Sequence, residues 1–310
     1  MKVLIAGSTG LVGSALVQHY SKFNYELILP KRESLDLLDR LATFEFIGKW
    51  KPDLVIDSAA LVGGIQFNST HPADFISNNL QIQINLMDAS RFHQIKNFVF
   101  LGSSCIYPRE CPQPIKEEYL MSGPLEPTNS AYAIAKIAGM ETVKSIRKQF
   151  GLNWVSVMPT NVYGPRDNFN LANAHVMPAL IRRFIEAKES NKEEIVLWGD
   201  GSAMREFIHS SDLADAINFV QENYHDEDHI NIGVGNDISI KELANMIANL
   251  IGFKGQISWD KSKPNGTPRK LLDISRISEL GWKPKINLEQ GIQNTIDWFF
   301  EARKTNTARL

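Results

Sequence analysis

The sequence predicts an α/β fold: a doubly wound parallel sheet, followed by a smaller C-terminal mixed α/β substrate domain. Three observations carry that prediction. Short apolar runs alternate with longer helical patterns through the first half, a glycine-rich turn follows the first run directly, and the rhythm changes after Pro165. Runs that are apolar throughout, separated by helices, mark parallel strands covered on both faces.

The elements follow in order. Lys2–Ala6 (KVLIA) is the first strand, and Leu11–Tyr20 the helix after its turn. Glu26–Leu29, Asp53–Asp57 and Asn97–Leu101 are further strands, with a helical stretch at Asn85–Phe92. A small-residue helix covers Ala131–Met140, and Asn153–Met158 is another strand. A loop at Asp167–His175 precedes a helix at Pro178–Lys188 and a short strand at Ile195–Trp198. Phe207–Phe219 and Ile230–Gly233 are expected to return to the first domain, and the Pro/Gly-rich Lys261–Lys270 belongs to the lid. The expected division is a cofactor domain over 1–164, with returns near 207–235, and a mainly substrate-binding domain over 165–310.

Composition narrows the function classes. A chain of 310 residues buries a full core, and 43% hydrophobic with 22% charged residues is ordinary for a globular protein. A net charge of −2 with interspersed signs argues against nucleic-acid or membrane partners. No apolar run reaches the length of a bilayer crossing, and the opening MKVLIAGSTG lacks a secretory signal pattern. Cys105 and Cys111 make neither a disulfide framework nor a CxxC metal pair, so no metal is expected. A reducing cytoplasm is the expected compartment.

Gly7-Ser8-Thr9-Gly10-Leu11-Val12-Gly13 sits between the first strand and its helix. Glycines there let the backbone approach a pyrophosphate, and the helix N-terminus offers free N–H groups to it. A turn of this kind between strand and helix predicts a Rossmann-type dinucleotide site. After the second strand come Pro30, Lys31 and Arg32 in place of the acid that would hold a ribose 2′-hydroxyl. A cation suits a 2′-phosphate, so NADP(H) is the predicted cofactor, with Arg32 its contact. The alternative is that Lys31 and Arg32 are solvated loop charges.

Tyr132-Ala-Ile-Ala-Lys136 places two chemical groups four residues apart on one helix face. Ketone reduction needs a proton donor at the carbonyl oxygen. Free tyrosine, with a pKa of about 10, is a sluggish one, which a neighbouring ammonium would improve. The pair follows a strand ending in Gly102-Ser103-Ser104, whose hydroxyls would reach a carbonyl at the sheet edge. An accidental surface YxxxK is the alternative.

GxxGxxG, the serine-ended strand and YxxxK together resemble the extended short-chain dehydrogenase/reductases that act on nucleotide sugars. LGSSCIYP (Leu101–Pro108), LEPTNSAYAIAKIAGME (Leu125–Glu141), MPTNVYGPRDNF (Met158–Phe169), AHVMPALIRRF (Ala174–Phe184), WGDGSAMREFIH (Trp198–His209) and KPNGTPRKLLD (Lys263–Asp273) are similar to the GDP-L-fucose synthase family, nearly end to end. That resemblance implies epimerisation at C3 and C5 of a 4-keto GDP-sugar, then NADPH-dependent reduction at C4. It implies Cys105 and His175 as the epimerisation pair and Ser103, Tyr132 and Lys136 as the reduction set. Cofactor contacts are implied at Leu101, Gly102, Ser103, Ser104, Lys136, Pro159, Thr160, Asn161, Val162 and His175. Substrate contacts are implied at Arg183, Trp198, Arg205, Asn265 and Lys270, and assembly as a homodimer through a helix bundle.

Elementary chemistry agrees. Carbons flanking a ketone are acidic because the charge spreads onto O4, and inversion needs a base on one face and an acid on the other. A thiol, with a pKa of about 8.5, can be tuned by cations, and a histidine near 6.5 can return the proton. On spacing alone, Cys105 reads equally as a small hydrophobe, His175 as a surface or capping residue, Trp198 as core and Arg183 as a helix-surface charge. Cys111 matches no family position. Two departures stand out: Asn265 replaces a frequent Asp, and Ser8-Thr9 replaces a basic residue of some relatives. Rival readings are an NAD-dependent sugar 4-epimerase or 4,6-dehydratase, and a non-catalytic NADPH-binding protein. SSCIYP offers no acid for a dehydratase, and Tyr132 with Lys136 is retained.

Overall fold

A computed structural model describes residues 1–263 and 265–310; Pro264, inside the KPNGTPRK block, lies outside the described residues. The chain runs β1 (Lys2–Ala6), α1 (Leu11–Tyr20), β2 (Glu26–Ile28), α2 (Arg40–Trp50), β3 (Leu54–Asp57), α3 (Ile65–Thr70), α4 (Pro72–Phe92), β4 (Asn97–Leu101), α5 (Ser130–Phe150) and β5 (Asn153–Pro159). It continues with β6 (Asn161–Tyr163), α6 (Val176–Glu189), β7 (Glu194–Trp198), β8 (Met204–His209), α7 (Ser210–Asn223) and β9 (Ile230–Ile232). Last come β10 (Asp237–Ser239), α8 (Ile240–Ile251), β11 (Gln256–Asp260), β12 (Arg269–Lys270), α9 (Ser275–Glu279) and α10 (Leu288–Lys304).

Six parallel strands form the main sheet in the order β2-β1-β3-β4-β5-β9. Strand order reverses at β1, which puts a ligand crevice at the C-terminal ends of β1 and β3. Side chains of β1 alternate between two buried faces. Val3 and Ile5 pack with Leu16, Tyr20 and Ile217, whereas Leu4 and Ala6 pack with Leu86, Met87 and Val143. Each aliphatic side chain so buried contributes about 1.5–3 kcal/mol, which is why these strands are apolar throughout.

Ile230–Gly233 joins this sheet through β9, beside β5. Phe207–Phe219 divides: α7 packs on the main sheet's first core, while β8 is the centre of a second sheet. There β8 pairs in parallel with β6 and β12 and antiparallel with β10. A two-stranded β7–β11 sheet and helices α6, α8 and α10 enclose a third core around Met177, Phe184, Ile247 and Phe299.

Several elements exceed what the sequence predicts. The helix expected at Asn85–Phe92 begins at Pro72, the residue type suited to a first helical position. Its inward face carries polar residues with backbone partners: Asn79 Nδ2 donates to Phe75 O at 2.7 Å, and Gln83 Nε2 to Ala135 O at 2.6 Å. Those residues mask the apolar period. The helix bearing Tyr132 runs on to Phe150 and closes on Gly151, at φ +66. Helix α2 was not anticipated, although Asp39 caps it by accepting from Ala42 N at 3.0 Å. β2 ends one residue early, at Ile28.

Buried Glu206 ties the chain's distant parts together. Its Oε1 accepts from Val234 N at 2.7 Å and Gly235 N at 2.8 Å, and its Oε2 from Leu272 N at 3.1 Å. Next to it, Leu271 N donates to Gln113 Oε1 at 2.9 Å while Leu271 O accepts from Ile115 N at 2.7 Å. These bonds lay β12 across the ends of the main-sheet strands.

Candidate active site

The turn after β1 is built for close approach. Gly7 has φ +75, and a Cβ there would lie 2.8 Å from Ser58 O. A Cβ on Gly13 would lie 2.0 Å from Gly7 O. Gly10 caps α1 without a side chain, and the first turn carries no acid. The N–H groups and positive end of α1 therefore face the crevice at the switch point. Arg32 is exposed in the turn after β2, which Ser34 closes by accepting from Lys31 N at 3.0 Å. A dinucleotide pyrophosphate fits this cradle, and Arg32 stands on the side where β2 ends.

Leu101 and Gly102 end β4. Gly102 N donates to Val157 O at 2.9 Å, and a Cβ on Gly102 would meet Met158 Sδ at 2.3 Å. Pro159 ends β5, Thr160 N donates to Ile232 O at 2.9 Å, and Asn161 Nδ2 donates to Glu206 O at 2.7 Å. Val162 lies in β6. These residues line the same C-terminal edge as the cradle.

Five predicted residues come together around the end of β4: Ser103, Cys105 and Lys270, with Tyr132 and Lys136 from α5. Ser103 opens a short 3₁₀ turn, its Oγ accepting from Cys105 N at 3.2 Å. Cys105 Sγ receives Asn129 Nδ2 at 3.3 Å and Lys270 Nζ at 3.4 Å. Burial pushes the Cys105 thiol up, but the Lys270 charge and the hydrogen bonds from Ser103, Lys270 and Asn129 outweigh it. The thiol therefore lies below its ordinary value.

Tyr132 and Lys136 share a face of α5. Lys136 is buried, and its Nζ donates to Leu101 O at 2.8 Å, 4.7 Å from the Phe100 ring centre and 5.9 Å from that of Tyr132. Burial lowers Lys136 to about 8, against the opposing pull of Asp57. Burial and then the Cys105 charge hold Tyr132 above its ordinary value, while Ser103 pulls it down. With its Nζ bonded to Leu101 O, Lys136 makes no hydrogen bond to Tyr132 among the described residues.

His175 caps the N-terminus of α6 without a side-chain capping bond. Desolvation by the surrounding protein lowers its pKa, although part of its surface is open to solvent. Its loop is fastened to the segment after β3, where Gly64 N donates to Asn173 O at 2.9 Å. No hydrogen bond joins His175 to Cys105 among the described residues.

The substrate-contact candidates divide. Arg183 Nη2 donates to Val196 O at 2.6 Å, Asn265 Oδ1 accepts from Asp200 N at 2.8 Å, and Trp198 is 61% exposed under Lys263. Trp198 is thus a surface ring, not core. A Cβ on Gly266 would lie 3.4 Å from Arg205 Nη2, so Arg205 joins this patch to the Cys105 recess. Lys270 sits in the recess itself.

Sequence reasoning missed Asn129, Glu126 and Asp57. Asn129 precedes the Tyr132 helix at a capping position, which was its available signal. Glu126 lies in the recess with Arg109 at 3.5 Å. Asp57 ends a buried apolar strand as an acid; burial raises it to about 6, Lys136 opposes, and its Oδ2 has no partner among the described residues.

Comparison with known proteins places this geometry. Residues 3–233 match the NAD dependent epimerase/dehydratase family. The chain is 50% identical to the probable GDP-L-fucose synthase 1 of Oryza sativa subsp. japonica, over 97% of this chain and 92% of that one. It is 47% identical to the GDP-L-fucose synthase of Escherichia coli K12, over 97% of each. A GDP-L-fucose synthetase from Naegleria fowleri bound to NADP superposes with a TM-score of 0.92 at 29% identity, covering 100% of this chain and 95% of the other. The chain belongs to the NAD dependent epimerase/dehydratase family and, within it, to the GDP-L-fucose synthases.

Proposed function

We propose that this protein converts GDP-4-keto-6-deoxy-D-mannose to GDP-L-fucose with NADPH, epimerising C3 and C5 and then reducing C4 in one pocket. The observation that carries the proposal is the convergence of Ser103, Asn129 and Lys270 on Cys105 at the end of β4, where Lys136 of α5 also bonds Leu101 O. A sulfur held by an ammonium and an amide N–H is suited to act as a base, which hydride reduction by itself does not require.

Cys105 takes the proton from a carbon flanking the ketone, and the C–H electron pair moves onto O4. The hydroxyls of Ser103 and Tyr132 hold that developing oxyanion. His175, at the N-terminus of α6, returns a proton from the other face. NADPH, when bound, supplies the hydride to C4. The α1 cradle and Arg32 hold the dinucleotide, Lys136 anchors its ribose from the β4 edge, and Tyr132 protonates O4. Arg183, Arg205 and Asn265, with the exposed Trp198 ring, receive the GDP end, where guanidinium forks bind diphosphate oxygens in pairs.

A two-part division follows: the main sheet and its helices for cofactor, and the β6–β8–β10–β12 and β7–β11 region for substrate. A homodimer through α4 and α5 belongs to the same proposal, supported by a shallow groove between them and by exposed Phe92 and Phe150. A cytoplasmic location goes with two free cysteines. No described helix is long and apolar enough to cross a membrane. The test is direct. Supplied with GDP-4-keto-6-deoxymannose and NADPH, the protein yields GDP-L-fucose by NMR, with one NADPH oxidised per product. A product unchanged at C3 and C5 refutes the proposal.

A further inference from the structure

We propose that Lys270, seconded by Asn129, is a positioning residue that holds the Cys105 sulfur as a thiolate and so makes it a base. Both contacts are direct: Lys270 Nζ lies 3.4 Å and Asn129 Nδ2 3.3 Å from Sγ. A neutral thiol is a weak acceptor. Two N–H donors converging on one sulfur, one of them an ammonium, are the solvation shell of an anion.

The arrangement is built in. Lys270 lies in β12, opposite Arg205 of β8, and its neighbour Leu271 is bonded on both sides, to Gln113 and to Ile115. Lys270 thus reaches the sulfur from a strand fixed in place, across 165 residues of sequence. Asn129 supplies a second, independent sign. It occupies the capping position of α5 yet makes no capping bond, and its side chain turns to the sulfur instead. Its Oδ1 is buried without a partner among the described residues, leaving an acceptor for a donor such as a sugar hydroxyl.

The other charges around the sulfur are accounted for. Arg205 pairs in register with Lys270 from β8, its guanidinium lowered by burial with the sulfur's charge opposing. Tyr132 faces it from α5 and is pushed up by it. Glu126 pairs with Arg109 at 3.5 Å and accepts from Thr267, while Arg269 is held by Asp237 at 2.6 Å. Among the described residues, Lys270 is the cation in contact with the sulfur. The resemblance that groups Lys270 with substrate contacts is thereby refined: the side chain acts through Cys105. The identity of Cys105 as the epimerising base rests on the function proposed above; the charge state of its sulfur does not.

The experiment reads the thiol directly, without sugar substrate. The full chain is alkylated with iodoacetamide from pH 5 to 10, and Cys105 and Cys111 are followed separately by peptide mass spectrometry. Lys270→Met is expected to raise the Cys105 midpoint by about one unit and to slow its alkylation near pH 7 about tenfold, with NADPH binding retained. Lys270→Arg keeps the wild-type midpoint, and Asn129→Ala moves it less than Lys270→Met. Lys270→Gln is the second uncharged variant, should Lys270→Met fail to bind NADPH. An unchanged midpoint in a folded uncharged variant overturns the proposal. So does a variant in which only KM for the GDP-sugar rises while the thiol titrates as before. A protein whose thiol behaves as expected but which makes no fucose product would refute the proposed function and leave this assignment standing.

Discussion

Gly13→Ala is the sharpest perturbation of the cofactor cradle. The new Cβ would lie 2.0 Å from Gly7 O, 2.6 Å from Gly7 C and 2.8 Å from Ser8 Cα, all backbone atoms that no rotamer change can move aside. Restoring ordinary contact requires a shift of more than ~1 Å between the start of α1 and the end of β1, in an interior as densely packed as a crystal. The Gly10 N to Gly7 O bond of 3.0 Å sits at that joint. Losing alignment of two charge-assisted N–H contacts to a phosphate, at about 1.5–3 kcal/mol each, predicts NADPH binding weakened by roughly 10²–10⁴-fold. Gly10→Ala is the contrast, since its Cβ meets little of the protein and would obstruct the pyrophosphate instead. Its Cβ would touch Gly7 O at 3.4 Å and nothing closer, at an ordinary negative φ of −78. Titration of NADPH fluorescence, with circular dichroism to verify the fold, separates the two. Gly13→Ala binding within about threefold of wild type, or Gly10→Ala disturbing the fold as much as Gly13→Ala, would refute the steric reasoning.

Arg32→Glu is expected to reverse the preference for NADPH over NADH, read from the ratio of kcat/KM values; an unchanged preference would return Arg32 to the solvated surface. Glu206→Ala strips three backbone donors of their buried acceptor, at about 1–3 kcal/mol each, so a loss of roughly 3–9 kcal/mol should appear in urea unfolding. A loss below 1 kcal/mol would show that water replaces the carboxylate. Buried His209 is lowered to about 4, so its stabilising contribution is complete above pH 6.5 and disappears as pH falls from there toward 4. Its Nδ1 caps α7 by accepting from Ser211 N at 3.2 Å. His209→Asn keeps a capping acceptor and should flatten the stability–pH slope over that window by up to ~1.4 kcal/mol per unit; an identical slope would contradict the assignment. Phe92→Asp combined with Phe150→Asp should give monomers in sedimentation velocity if α4 and α5 form the dimer contact.

The main sheet was legible because its strands bury both faces. β1, β4 and α1 fall at the residues their apolar runs mark, and the Gly7–Gly13 turn follows from spacing alone. The full length of α4 was hidden because Asn79, Gln83 and Asn85 point inward, satisfied by backbone groups that no local pattern reveals. Of the site, Ser103, Tyr132 and Lys136 were visible because a strand end and a four-residue helical spacing bring them close, whereas Cys105 and His175 were marked only by the resemblance. Lys270 was visible only as part of a resembling block, and its contact with Cys105 not at all, since it depends on β12 folding back over the sheet. Asn129 and Asp57 looked like an ordinary helix start and strand end. Their meaning comes from partners distant in sequence: the Cys105 sulfur for one, the buried Lys136 for the other.

The central claim, two chemistries in one pocket, is tested most directly by isotope position. Wild-type protein turning over GDP-4-keto-6-deoxymannose with NADPH in D₂O should give GDP-L-fucose carrying deuterium at both C3 and C5. Cys105→Ser should bind NADPH normally yet leave those carbons protiated. Deuterium at C3 and C5 in the Cys105→Ser product, or a wild-type product reduced at C4 without solvent hydrogen at either carbon, would contradict the account.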